Sequence, residues 1–106
     1  MNLPPSLEKQ LGARFDSDLV DVSDKDDVLR AASEASFFLT SDSATVEEMT
    51  DVATYLRAFL SDLPETELSK LERITNAEWS EYLPNLIAAF AHMVSKIESK
   101  LRARAE

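Results

Sequence analysis

The last quarter of the chain carries an apolar side chain at every third or fourth position. The residues in this stripe are Leu83, Ile87, Phe90, Val94, Ile97 and Leu101. Because an α-helix completes one turn in about 3.6 residues, the spacing places all six side chains on one face of a single long helix. The stripe covers about two and a half heptads, fewer than the three to four that indicate a coiled coil. We therefore expect this helix to be the spine of a bundle formed by the same chain.

Segments upstream of this helix show the same periodicity, with short connections between them. Apolar residues share one face in four segments, which are residues 7–14, 24–40, 46–61 and 65–74. The chain has a single glycine and no Asn-Gly pair, so it lacks the turns that sheets of several hairpins need. We predict an all-α fold, a compact bundle of four or five helices with a long C-terminal helix. It should form one domain over residues 1–106, with frayed ends at residues 1–5 and 103–106.

Several residues predict where the helices begin. Three pairs match the pattern of a capping box, in which a hydroxyl residue precedes an acid by three positions; they are Ser23 with Asp26, Thr45 with Glu48, and Thr75 with Glu78. Asn76 is an alternative cap to Thr75. Pro84 either kinks the last helix or lies in its first turn, since proline clashes with the carbonyl four residues before it.

The negative charge of the chain is concentrated in one third of its length. The net charge is −9, and residues 16–51 alone hold 11 acids against Lys25 and Arg30, which is also −9. Such a surplus of acid argues against direct binding of nucleic acid, because phosphate neutralisation requires lysine and arginine. It favours a basic partner protein, or it serves solubility alone.

The acidic segment provides the candidate binding residues. They are Asp16, Asp18, Asp21, Asp24, Asp26 and Asp27, together with Glu34 and Phe37. The last three aspartates fall in the first turn of a predicted helix, where the helix dipole favours anions. A solvated, well-capped helix start is therefore the simpler interpretation, and a surface that mimics the phosphate backbone of a nucleic acid is the functional one. Phe37 lies off the apolar stripe of its helix, so it either widens the core face or is exposed.

No catalytic, cofactor or metal site is predicted. A calcium loop that started at Asp16 would have Asp21 where glycine is needed and Asp27 where glutamate is needed. The chain has no cysteine and only His92, which we expect at the surface or its boundary, so ligands for a transition metal are lacking. We therefore do not expect an enzyme. No signal-peptide pattern or membrane-length apolar run occurs, which predicts a cytoplasmic protein that is not in a membrane.

These features predict a small acidic module for protein–protein interaction. Immunity proteins, antitoxins and phage-encoded inhibitors of host defence are of similar size and charge, and this analogy of type suggests an inhibitor of a basic, nucleic-acid-binding protein. The alternative is a structural protein or assembly chaperone that forms a homodimer through the stripe of its C-terminal helix.

Overall fold

The predicted C-terminal helix is present and is the longest element of the fold. The computed structural model describes residues 2–105, which form five α-helices and no strand. The helices are α1 (Pro5–Arg14), α2 (Lys25–Leu39), α3 (Val46–Asp62), α4 (Glu65–Thr75) and α5 (Leu83–Ala105). The prediction of an all-α bundle with a long last helix is thus confirmed.

The α5 helix packs most extensively against α2 and α3, as its apolar stripe predicted. It runs parallel to α2, because contacts between the two segments advance together along the chain. These contacts are Val22 with Asn85, Ser33 with His92, and Ser41 with Arg104. It runs antiparallel to α3, where Ala44 contacts Arg104 and Phe59 contacts Phe90. The chain therefore returns through α3 and α4 before α5 can lie alongside α2.

Alanine on α2 allows the long helix to approach closely. Ala31, Ala32 and Ala35 are fully buried, and the rings of Phe59 and Phe90 meet edge to face with centroids 5.1 Å apart. The small side chains of α2 leave room beside this helix. The large residues of α5 fill that room and the space toward α3.

The apolar face of α5 is wider than the six-residue stripe, because Leu86 and Met93 extend it, as the sequence also indicates. Its deepest residues are Leu86, Ala89, Phe90, Met93 and Ile97, whereas Leu83, Val94 and Leu101 are only partly buried beside them. Most of the stripe that would support self-association is thus packed within this chain.

Of the three predicted capping boxes, one is confirmed and two are wrong. Thr45 and Glu48 form the expected capping box. Ser23 is not a helix cap, because its hydroxyl donates to Asp21 and the adjacent Asp24 caps α2 instead. The prediction for Thr75 was also wrong, since it is the last residue of α4 and is buried. Asn76 ends α4 with a left-handed backbone at φ 52°.

Helices extend nearly to both ends of the described chain. The first helix begins at Pro5, with Pro4 buried, and α5 continues to Ala105. Arg104 donates to the carbonyls of Ser41 and Ala44, which attaches the end of α5 to the loop between α2 and α3. Pro84 lies in the first turn of α5, so it starts the helix rather than kinking it. Over residues 2–105, no helix has both the length and the apolar character needed to span a bilayer.

Thr75 provides a hydrogen-bond acceptor for the buried tryptophan. The Trp79 indole N–H donates to Thr75 Oγ1 at 2.9 Å, and that hydroxyl donates to the carbonyl of Leu71 at 2.6 Å. Both Thr75 and Trp79 are buried, so water does not replace either bond.

We predict that Thr75→Val lowers the free energy of unfolding by about 1–3 kcal/mol, because it leaves the buried indole N–H without an acceptor. Chemical denaturation monitored by Trp79 fluorescence measures the change. Thr54→Val, at an exposed position of α3, is the matched control and should change stability by less than about 0.5 kcal/mol. Equal effects of the two substitutions would contradict this role of Thr75.

Glu67 is a charged residue in a buried position on α4. Its carboxylate accepts the Tyr55 hydroxyl at 2.9 Å and pairs with the Lys70 ammonium at 3.1 Å. Burial raises the pKa of the Glu67 carboxyl, but the hydrogen bonds from Lys70 and Tyr55 outweigh it, so the pKa lies below its usual value. Burial and the bond to Glu67 raise the pKa of Tyr55.

This arrangement predicts that the contribution of Glu67 to the free energy of unfolding depends on pH. Because the pKa of Glu67 is lower in the folded chain, the unfolded chain binds a proton more readily, and the stabilisation is lost as pH falls through the folded pKa. We expect the difference in unfolding free energy between the wild type and Glu67→Gln to shrink as pH falls from about 6 to about 3. Glu65→Gln, on the exposed first turn of α4, is the control. A difference that stays constant over this pH range would refute the prediction.

Candidate partner-binding surface

The predicted binding residues from Asp16 to Asp27 lie on the connection between α1 and α2 and on the first turn of α2. We call residues 16–27 the acidic loop. The alternation of acidic and apolar residues in this segment predicts that Leu19, Val20 and Val22 anchor the loop to the core. Val20 is buried and Val22 is partly buried, but Leu19 is 60% exposed, so the prediction is wrong for Leu19. The turn hydrogen bond from the Leu19 N–H to the Asp16 carbonyl, at 2.9 Å, accompanies this outward placement.

Three aspartates of the acidic loop hold its turns in place. Asp16 accepts the N–H of Asp18 at 2.9 Å, and Asp24 accepts the N–H of Asp26 at 3.0 Å. Asp21 accepts both the N–H and the hydroxyl of Ser23, at 3.0 and 2.6 Å. Aspartate favours such turns because its short side chain reaches the backbone two residues ahead. The partners of these three carboxylates are neutral donors, so none of these bonds brings a basic side chain to the loop.

The loop is also tied to the helices around it. The Asn85 side-chain amide donates to the carbonyl of Val22 at 2.8 Å, which links the loop to the start of α5. The N–H of Ser17 donates to the carbonyl of Thr75 at 2.9 Å, which links it to the end of α4. The loop therefore has a defined shape, supported by α4 and α5.

Two of the predicted binding acids have basic partners within the chain. Asp27 pairs with Arg30 at 2.9 Å, and Glu34 pairs with Arg30 and with Arg14. The backbone N–H of Asp21 and the side chain of Arg30 both donate hydrogen bonds to the Asp27 carboxylate. These bonds, the first more than the second, lower the pKa of the Asp27 carboxyl. These two charges are partly neutralised and contribute less to an external partner.

The remaining five aspartates have no counter-ion among residues 2–105. Asp16, Asp21 and Asp24 contact only neutral donors, and the carboxylates of Asp18 and Asp26 make no hydrogen bond or ion pair within that range. Lys25 lies between Asp24 and Asp26 in sequence but pairs with neither. The acidic loop thus presents an unneutralised anionic surface.

The structure does not bring Phe37 to this surface. Phe37 is 71% exposed, so it does not widen the core face. It follows Asp27 by ten residues on the same helix, which places it about 15 Å farther along α2. Its ring meets that of Phe38 edge to face, and the Arg14 guanidinium lies 4.4 Å from the Phe38 ring centroid. Phe37 borders a different feature, a groove between α2 and α5.

No metal centre and no known relative identifies this surface. Within residues 2–105, no three His, Cys, Asp or Glu side chains are grouped so that they could hold a metal ion. His92 is partly buried at the α2–α5 contact, at the boundary where the sequence placed it. Comparison with known proteins gives no match to a family model, to a curated protein or to a solved structure.

We predict that the loop aspartates differ in their contribution to stability. Asp24→Ala removes the side-chain cap of α2 and should lower the free energy of unfolding by about 1 kcal/mol. Asp18→Ala removes a carboxylate that makes no hydrogen bond or ion pair among the described residues, and should change the free energy of unfolding by less than about 0.5 kcal/mol. Urea denaturation of the two variants at the same ionic strength tests the distinction. Equal losses of stability would mean that the cap is not a stabilising contact.

Proposed function

We propose that the protein is an interaction module that binds a basic partner protein through its acidic loop. The observation that carries this proposal is the presence of five carboxylates without a counter-ion, at Asp16, Asp18, Asp21, Asp24 and Asp26. Their charges lie within eleven consecutive residues on a loop of defined shape. A concentrated anionic field of this kind accelerates association with a cationic surface and selects against acidic partners.

The helix ends alone do not account for this charge. The loop lies at the amino ends of α2 and α5, which run parallel, and each helix contributes roughly half a positive charge there. Two helices therefore offset about one negative charge. The five carboxylates and Lys25, which lies among them, carry a net charge of −4, so a surplus of about three negative charges remains. This surplus supports a role outside the folding of the chain.

Leu19 gives the surface an apolar centre. It is 60% exposed and lies between Asp18 and Asp21, next to the buried Val20. Interfaces commonly combine an apolar contact, which supplies most of the affinity, with a charged rim that directs the approach. Leu19 is the residue of the loop that fits the first of these two roles.

We further propose that binding inhibits the partner. A basic protein that binds nucleic acid contacts phosphates through lysine and arginine, and the acidic loop offers carboxylates to the same side chains. The loop and a nucleic acid would then compete for one surface on the partner.

The proposal predicts which residues hold the partner. The triple variant Asp18→Asn, Leu19→Ser, Asp26→Asn should lose a protein that the immobilised wild type captures from its native cell extract. Capture should also fall as ionic strength rises from about 0.1 M to about 1 M, because salt shortens the range of the field to about 3 Å. The captured protein, once identified and purified, should be basic and should be displaced from the module by nucleic acid.

A matched control variant tests whether binding depends on the acidic loop or on the negative charge of the chain in general. The variant Val46→Ser, Glu47→Gln, Asp51→Asn removes an apolar side chain that is 53% exposed and two acids from the start of α3. It should capture the partner as the wild type does. Equal capture by the wild type and the loop variant would mean that the acidic loop does not bind the partner. Simultaneous binding of module and nucleic acid to the partner would contradict the inhibitory part alone.

A further inference from the structure

A groove between the C-terminal halves of α2 and α5 has a charge opposite to that of the chain. It encloses about 490 Å³, within the range of roughly 300–1,000 Å³ typical of small-molecule sites. Its α5 side includes His92, Lys96 and Lys100, and its α2 side includes Ser33 and Phe37. None of the residues that line it is acidic. We call it the α2–α5 groove.

The lack of acid distinguishes this groove from four other clefts of the described surface. Four other clefts on the described surface each contain at least one carboxylate, for example Asp51, Glu48, Asp18 or Glu72. The chain as a whole has 20 acids and 11 lysine and arginine residues. The groove, which has two lysines and no acid, is therefore positively charged on a chain whose net charge is negative.

The two lysines of the groove are not neutralised from within. Lys96 forms no ion pair with any residue between 2 and 105, and Lys100 has one acidic neighbour, Asp42, at 3.9 Å with a fully exposed side chain. Exposed pairs of this kind contribute little. By contrast, Arg30 and Arg57 each contact an acid directly. Because Lys96 and Lys100 are four residues apart on α5, their ammonium groups extend from the same face of the helix.

The carboxyl ends of the helices explain only part of this positive charge. The parallel α2 and α5 helices end on the same side of the molecule and together contribute roughly one negative charge there. Arg104 already donates to two carbonyls in that region, those of Ser41 and Ala44. The charges of Lys96 and Lys100 are thus available to a ligand.

Polar and aromatic groups complete the groove. Ser33 Oγ and His92 Nε2 are hydrogen-bonded at 3.1 Å, so both polar atoms are held at the groove wall. The hydroxyl of Ser99 lines the groove and makes no hydrogen bond among residues 2–105. Phe37 lines it with a ring that is 71% exposed. Cations, hydroxyls and an open aromatic face therefore meet in one groove.

We propose that the α2–α5 groove binds a small phosphate monoester that carries an aromatic ring. The phosphate would lie between Lys96 and Lys100, because its charge of about −1.5 to −2 at neutral pH matches two ammonium groups. The hydroxyl of Ser99 would donate to a phosphate oxygen, and the ring of the ligand would pack on Phe37. Two lysines are too few to follow a long polyanion. This site is separate in residues and in charge from the acidic loop, and it does not depend on the proposed function.

Nuclear magnetic resonance titration of the full chain with phenyl phosphate tests the proposal. Saturable shifts should appear at Phe37, His92, Lys96 and Lys100. Phenol, which lacks the anion, and inorganic phosphate, which lacks the ring, should each bind at least about tenfold more weakly, since contacts to charged groups and aromatic packing each contribute at that level. The absence of saturable shifts at these residues would overturn the proposal.

Variants locate the binding site. Lys96→Gln with Lys100→Gln should weaken binding of phenyl phosphate by about tenfold or more. Lys9→Gln with Lys25→Gln removes the same charge outside the groove and should keep the affinity within about twofold. Phe37→Ala changes an exposed side chain and should reduce the affinity for phenyl phosphate toward that for inorganic phosphate. Circular dichroism and melting temperature verify that each variant is folded.

Two further outcomes would refute the assignment. An equal loss of affinity in both double-lysine variants would mean that phenyl phosphate responds to net charge and not to the groove. A phosphotyrosine peptide that binds more than about tenfold tighter than phenyl phosphate would identify the ligand as a segment of another protein, because contacts beyond the phosphorylated ring would then supply the affinity.

Discussion

The parallel contact between α2 and α5 determines most of what this molecule presents to solvent. Two parallel helices place their positive ends together at one side and their negative ends together at the other. The chain supplies acids at the first side, through Asp24, Asp26 and Asp27, and bases at the second, through Arg102 and Arg104 in the last turn of α5. Because each set of charges stabilises the helix ends next to it, the segregation of charge along the sequence becomes a segregation in space.

Helical periodicity made the elements predictable, but it did not determine the details of their packing. The helical spacing of Val28, Ala32, Ala35 and Leu39 predicts one buried face of α2, and all four residues are buried. In the sequence, Leu86 and Met93 widen the apolar stripe of α5, and both are buried because the helix contacts α2 on one side and α3 on the other. The periodicity did not show which residues of this wider face are buried most deeply.

Capping patterns were less informative than periodicity because several residues compete for each role. Ser23 and Asp24 are both good caps, and the hydrogen bond of Ser23 to Asp21 leaves Asp24 at the helix start. Thr75 matches a capping box, but its hydroxyl bonds to Leu71 and Trp79 inside the fold. Only Thr45 had no such competitor in tertiary structure, and there the pattern predicted the cap correctly.

The charge of the acidic loop was predictable from sequence, but its geometry was not. Composition identified all six aspartates, whereas the outward position of Leu19 depends on a turn hydrogen bond and on the burial of Val20 beside it. The pairing of Glu34 with Arg14 joins residues twenty positions apart. The α2–α5 groove is still less visible in the sequence, since Ser33 and His92 are 59 positions apart.

The order of the helices along the chain has a consequence for synthesis. The α5 helix fills the space between α2 and α3 with Phe90, Met93 and Ile97, so α2 and α3 emerge from the ribosome before the element that covers their apolar faces. The alanine face of α2 then stays accessible to water until α5 has been synthesised. Cooperative folding of the bundle must therefore follow the synthesis of α5.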